Sequence, residues 1–125
     1  MERWYVSQFA YLVNRLKSIR EGAGTLLDST AVVFLACQGV AGAHAMHPLP
    51  CIVAGSCGGF FKTGRFVKVG TRSDLLAPEN PPAKIDHSGL VPHNRFLASL
   101  CNAMGVPVTG YGEPRYGGPL EELRG

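Results

Sequence analysis

The run Thr30-Ala31-Val32-Val33-Phe34-Leu35-Ala36-Cys37, followed after the loop Gln38–Pro48 by Pro50-Cys51-Ile52-Val53-Ala54, decides how this chain is read. Ala31–Ala36 is apolar without interruption rather than alternating. A short run of that kind reads as a strand covered on both faces, as in a parallel α/β sheet. Pro50–Ala54 reads as a second buried strand. The Gly/Ala-rich loop between them carries two of the chain's four histidines in His44-Ala45-Met46-His47. Open α/β sheets build their sites at strand ends, and neutral imidazole is the commonest metal ligand. The loop holds no carboxylate, so it is not a finished catalytic set.

Upstream, Trp4–Arg20 has helical spacing. Tyr5, Phe9, Leu12, Leu16 and Ile19 recur every three or four residues, with Asn14, Arg15, Lys17 and Ser18 on the other side. Glu21-Gly22-Ala23-Gly24 stops this helix, glycine tolerating the left-handed cap. Downstream, Gly55-Ser56-Cys57-Gly58-Gly59 reads as a turn with unusual backbone angles. Its Gly58 and Gly59 are candidate ligand-binding positions, because glycine allows a ligand to approach the backbone closely. Lys62-Thr63 is not preceded by glycine at P-loop spacing, which excludes a phosphate-cradling loop of that type.

Phe60–Val69 alternates loosely about Thr63-Gly64 and predicts an edge hairpin. Residues 70–91, interrupted by Pro78, Pro81 and Pro82, read as a long surface loop. Pro92–Met104 predicts a second helix, with Phe96, Leu97, Leu100 and Met104 on one face and Gly105 as the stop. Residues 106–125 form an extended Gly/Pro tail. Among the loop residues, Asp28 reads as a turn residue, His87 as surface and His93 as surface or capping. The architecture expected is α/β, with few strands flanked by two main helices in a single domain spanning residues 1–125.

Composition bounds the function classes. At 125 residues, with 46% hydrophobic and 17% charged positions, the chain suits one globular domain rather than a disordered segment. Its net charge of +3 comes from scattered Lys and Arg, with no basic stripe and interleaved aromatics, so no nucleic acid partner is expected. Glu2, Arg3, Asn14, Arg15 and Lys17 break any export signal near the start, and no run approaches the ~20 apolar residues of a membrane span. As written, the chain reads as cytoplasmic, with no membrane partner. The four cysteines show no C-x-x-C pair and read as buried free thiols, with Cys51 and Cys57 left open as a local pair. Two or three strands that are apolar on both faces do not stand alone. The expected partner is therefore a second copy of the chain or missing N-terminal segments.

Several motifs carry a resemblance. Arg3-Trp4-Tyr5-Val6, Gln8–Leu12, Gly24–Asp28, His44–Pro50, Ala54-Gly55, Lys62–Arg65, Pro92–Arg95 with Leu97, Asn102–Val106 and Gly117–Leu120 occur in that order over nearly the whole chain. They resemble the C-terminal part of an exported bacterial family known as a domain of unknown function, numbered fifteen fifty-two. That family is similar in pattern to alkaline-phosphatase and sulfatase-like proteins. The resemblance implies a partial three-layer α/β/α sandwich, the chain being a portion of a larger α/β domain whose nucleophile lies in an N-terminal half. It also implies an acidic metal ligand and then a histidine after the strand ending near Ala36. Cys37 and Gln38 stand there instead, before the matching Gly39, and Met46 and Pro48 stand where a further histidine and an acidic or amide residue are implied.

The substitutions change the chemistry. Carboxylates suit hard ions such as Mg²⁺, whereas cysteine and histidine suit zinc. Cys37, His44 and His47 are accordingly the candidate metal ligands, with zinc as the candidate cofactor and one coordination position open. The alternative is that the histidine pair makes structural hydrogen bonds. Two function classes follow. One is a non-catalytic or incomplete C-terminal module of an alkaline-phosphatase-like protein. The other is a contribution of His44 and His47 to a metal-dependent phosphate- or sulfate-ester hydrolase site completed by segments absent here.

Overall fold

Helix α1 forms over Glu2–Ser18, where good helix formers alternate with an apolar stripe, in a computed structural model that describes residues 2–36, 49–71 and 88–125. It is followed by strands β1 (Arg20–Glu21) and β2 (Gly24–Thr25), the short helix α2 (Leu26–Ser29), strands β3 (Val32–Leu35) and β4 (Cys51–Ala54), and helix α3 (Asn94–Ala103). Two 3-10 turns, Pro114–Tyr116 and Glu121–Leu123, shape the tail. Helices and two small antiparallel sheets are therefore mixed in one chain, in the broad α/β class.

Gly22 has φ +56°, but it is not the end cap of α1. The helix stops at Ser18, and Gly22-Ala23 instead join β1 to β2 as a two-residue hairpin loop, the kind that needs positive φ at its first central position. The antiparallel pair β3–β4 aligns Val32 with Ala54, Val33 with Val53, Phe34 with Ile52 and Leu35 with Cys51. This corrects the parallel expectation. A continuous apolar run reports cover on its two faces and carries no information on the direction of its neighbour. The cover is also partial, since Leu35, Cys51 and Ile52 are exposed.

Helix α1 meets this sheet through Phe9, whose ring lies 5.7 Å from that of Phe34, and its half-buried side is Phe9, Val13 and Leu16. Compared with the expected stripe, Val13 replaces Leu12, while Tyr5, Leu12 and Ile19 lie on an exposed flank. Strands sit about 4.8 Å apart and a helix with its side chains is about 10 Å wide. Two strands thus span about one helix width and meet the face of α1 turned toward them.

The expected hairpin at Phe60–Val69 does not form. Gly64 turns the chain with φ +75°, Arg65 Nε donates to the carbonyl of Lys62 at 2.9 Å, and Phe61 bridges to Arg124 at the end of the tail. Lys62 N–H donates to Leu123 O at 3.0 Å and Gly125 N–H to Phe60 O at 3.0 Å, so the tail takes the place of a second strand. The buried apolar residues among those described are Phe61, Phe96, Ala98 and Leu120, contributed by α3, residue 61 and the tail. No described helix is long and apolar enough to cross a membrane.

Candidate functional site

The turn after β4 joins the α1–β4 half to the α3–tail half. Gly55, with φ +86°, begins it, and a Cβ there would overlap the carbonyl oxygens of Thr30 and Leu27. Cys57 has φ +50°, a conformation no other described non-glycine residue adopts. Its N–H donates to Thr30 O at 3.1 Å, while Gly58 N–H donates to Asp28 O at 2.8 Å. Ser56 closes the turn from inside: its Oγ donates to Asp28 O at 2.8 Å and accepts from Gly59 N–H at 3.1 Å. Phe61 N–H returns to Ser56 O at 2.8 Å.

Gly58 and Gly59 border open space, with φ of +70° and +92° and nothing within 4 Å of a Cβ placed on either. A backbone anion site, however, needs convergent N–H groups free to bond the ligand. At residues 57, 58, 59 and 61 those donors already bond the protein's own oxygens. The glycines satisfy a backbone requirement first.

Cys57 Sγ points across to the end of α3, donating to Ala103 O at 3.2 Å with the Met104 sulfur 3.7 Å away. Cys51, Cys57 and Cys101 are free thiols and none is fully buried: Cys51 is exposed and the other two are intermediate. Although Cys51 is exposed as a residue, desolvation around its sulfur pushes the thiol up to about 11, so it is a poor nucleophile at neutral pH.

Asp28 serves the backbone. Thr25 N–H and the Thr25 hydroxyl donate to Asp28 Oδ2 at 2.7 and 2.9 Å, closing the first turn of α2. These two bonds, helped by Arg20 and Lys17, hold its carboxyl below the ordinary 3.8. His93 occupies the N-cap position of α3 without a side-chain capping bond, its ring 5.5 Å from that of Phe96.

Cys37, His44 and His47, with His87, lie outside the described residues. Among the described residues no three His, Cys, Asp or Glu side chains are grouped to hold a metal ion.

A different set of residues is brought together on α3. Arg95 donates from Nε to Gly118 O at 2.8 Å and from a terminal nitrogen to Pro119 O at 3.1 Å. One turn on, Ser99 Oγ donates to Arg95 O at 3.1 Å and accepts from Leu120 N–H at 2.8 Å. Asn102 holds Val108 at both backbone groups, accepting from its N–H at 2.7 Å and donating to its carbonyl at 3.2 Å. Asn94 donates to Tyr111 O at 3.2 Å. Positions 95, 99 and 102 share a helix face, so three side chains fix the tail along one line. The reading by apolar stripe passed over them, although their own spacing of four and three is the available signal.

The tail folds back between Thr109 and Gly118, leaving an open cavity of about 350 Å³ lined by Thr109, Gly110, Gly112, Pro114, Gly117 and Gly118. None of these carries an ionisable or nucleophilic group suited to a carboxylate, imidazole or thiolate mechanism. No known protein family, curated protein or solved structure matches the chain.

Proposed function

We propose that this chain is a non-catalytic C-terminal module of an alkaline-phosphatase-like protein, similar to the exported bacterial family named above, and that its sheet belongs to a partial three-layer α/β/α sandwich completed by other segments. One observation carries the reading. Within the described residues, the polar side chains of the turn and of α3 are engaged with the protein's own backbone, whereas Trp4, Tyr5, Tyr11 and Leu12 on α1 are exposed apolar side chains. Polar groups spent on architecture, beside exposed Trp, Tyr and Leu, describe a surface that binds rather than a centre that reacts. The motif residues behave the same way. Asn94-Arg95, Asn102 and Gly118-Pro119 are the two sides of the tail contact.

The second reading rests on His44-Ala45-Met46-His47 and Cys37, a soft donor set suited to zinc in a metal-dependent phosphate- or sulfate-ester hydrolase. Elemental analysis of protein purified without added metal, together with a chromogenic aryl phosphate and aryl sulfate assay, separates the two. The non-catalytic reading expects neither stoichiometric zinc nor turnover. Hydrolysis abolished by His44→Ala would overturn it.

A further inference from the structure

Two sulfur atoms from segments 47 positions apart meet beside the end of α3. Cys57 Sγ lies 3.7 Å from Met104 Sδ and 3.2 Å from the Ala103 carbonyl oxygen. The backbone fixes the thiol there. Residue 57 holds φ +50°, a conformation unfavourable for an L side chain, and the bonds from Cys57 N–H to Thr30 O and from Phe60 N–H to Cys57 O keep it in place. Met104 arrives from the other side, on the residue that closes α3, with its own N–H bonded back to Leu100 O and Cys101 O.

Burial does not explain the pairing. Met104 is 70% exposed, so its thioether gains little from packing against the turn, and Cys57 is only half-buried. Nor does the thiol need the second sulfur, because the Ala103 carbonyl already accepts its one proton. The arrangement does provide two soft donors, a thiol and a thioether, on a side of the fold that solvent reaches.

We propose that Cys57 and Met104 form a binding site for a soft monovalent metal ion, Cu(I). Thiolate and thioether together are the donor types that select this ion. With metal–sulfur bonds of about 2.3 Å, sulfurs 3.7 Å apart subtend about 107° at a shared ion, close to the tetrahedral angle, so both bond it without moving the backbone. On binding, the Cys57 S–H bond breaks, a Cu–S bond forms, the proton passes to solvent, and copper remains Cu(I) throughout. The resulting Cu(I)–thiolate pair is neutral, which suits a half-buried position. Zinc is a poor match, since thioether is not among its usual donors and no third His, Cys, Asp or Glu among the described residues completes the set. The site therefore differs in chemistry from the candidate set Cys37, His44 and His47.

The test titrates the full chain, reduced and under anaerobic conditions, with Cu(I) in competition with bicinchoninate. A single tight equivalent is expected. Cys57→Ser should remove it. Met104→Leu keeps the size of an exposed side chain, and should weaken binding by at least the roughly 10–100-fold that loss of an outer-shell partner costs. Cys37→Ser, Cys51→Ser and Cys101→Ser should leave the affinity unchanged; the Cys51 thiol, pushed up to about 11, is in any case a weak competitor. X-ray absorption at the copper edge of the wild-type complex should count two sulfur neighbours, which decides the matter even where a variant fails to fold.

The absence of a tight equivalent overturns the inference. So does Cu(I) held equally by Met104→Leu and wild type, which would mean that the cysteine acts alone. An equivalent that survives Cys57→Ser but disappears with Cys37→Ser or Cys101→Ser places the ion elsewhere and overturns it as well. These outcomes are read on copper affinity, whereas zinc content and aryl-ester turnover decide the functional reading, so the two fail separately.

Discussion

Ser99→Ala isolates the contact that seats the tail. Ser99 is 1% exposed and Leu120 5%, so water does not reach the Leu120 amide if the hydroxyl is removed. The variant loses the bond from Leu120 N–H to Ser99 Oγ and leaves that donor buried without a partner, which costs about 1–3 kcal/mol. An unfolding entropy of about 2.1 cal/mol/K per residue over 125 residues converts each kcal/mol into about 4 °C. The expected loss of Tm is therefore about 4–11 °C by calorimetry. Two serines in the same chain make the control. Ser7 and Ser18 donate to carbonyls three residues back, at 2.6 and 2.7 Å, on the exposed surface of α1, where alanine should shift stability by less than about 0.5 kcal/mol. Hydrogen exchange gives the local readout, since the Leu120 amide should lose protection in Ser99→Ala. A Ser99→Ala variant as stable as Ser7→Ala, with the Leu120 amide still protected, would refute the docking of the tail through this hydroxyl.

Two further substitutions separate backbone strain from collision in the turn. Gly58→Ala meets open space and should cost only the left-handed penalty of about 1–2 kcal/mol, whereas Gly55→Ala adds overlap with two carbonyl oxygens and should cost more, as read by denaturant midpoints. Asp28 sets a pH dependence whose sign follows from its lowered pKa. A carboxylate held below 3.8 in the folded state adds stability that is fully present above that value and lost as pH falls through the folded pKa. Asp28→Ala should therefore lower stability at neutral pH, with the gap to wild type closing in acid below 3.8. A gap that stays constant into strong acid would mean the carboxylate does not stabilise α2.

Local signals in the sequence were legible where one segment determines its own structure. The helices expected at Trp4–Arg20 and Pro92–Met104 form at Glu2–Ser18 and Asn94–Ala103, because 3.6-residue periodicity and a proline before the first turn act over a few residues. Asp28 was readable as a turn residue for the same reason. Pairing direction was not legible, since the apolar run at Ala31–Ala36 is compatible with a neighbour running either way. The Phe60–Val69 segment shows the same limit from the other side. It has a hairpin's turn at Gly64, but Phe61 finds its partner at Arg124, 63 positions away. Of the candidate site, Gly58 and Gly59 were legible as a strained turn, while the commitment of the turn's amides to Asp28, Thr30 and Ser56 depends on contacts between distant segments.

The tail explains why a Gly/Pro-rich segment can be ordered without a stripe of its own. Leu120 is buried, while the bonds from Asn94, Arg95 and Asn102 end on backbone atoms of Tyr111, Gly118, Pro119 and Val108. Recognition of backbone does not depend on the side chain that carries it, so residues 108–119 are free to be chosen for backbone shape. Gly117 shows the use of that freedom: its φ is +80°, and a Cβ there would sit 3.8 Å from the Arg95 side chain. Pro119, two residues on, acts through the unfolded chain, by limiting the conformations the tail must give up when it docks. The tail is thus bound by α3 in the manner of an extended peptide held by its main chain. Order at this end of the fold comes from directional bonds around a small core of Phe61, Phe96, Ala98 and Leu120.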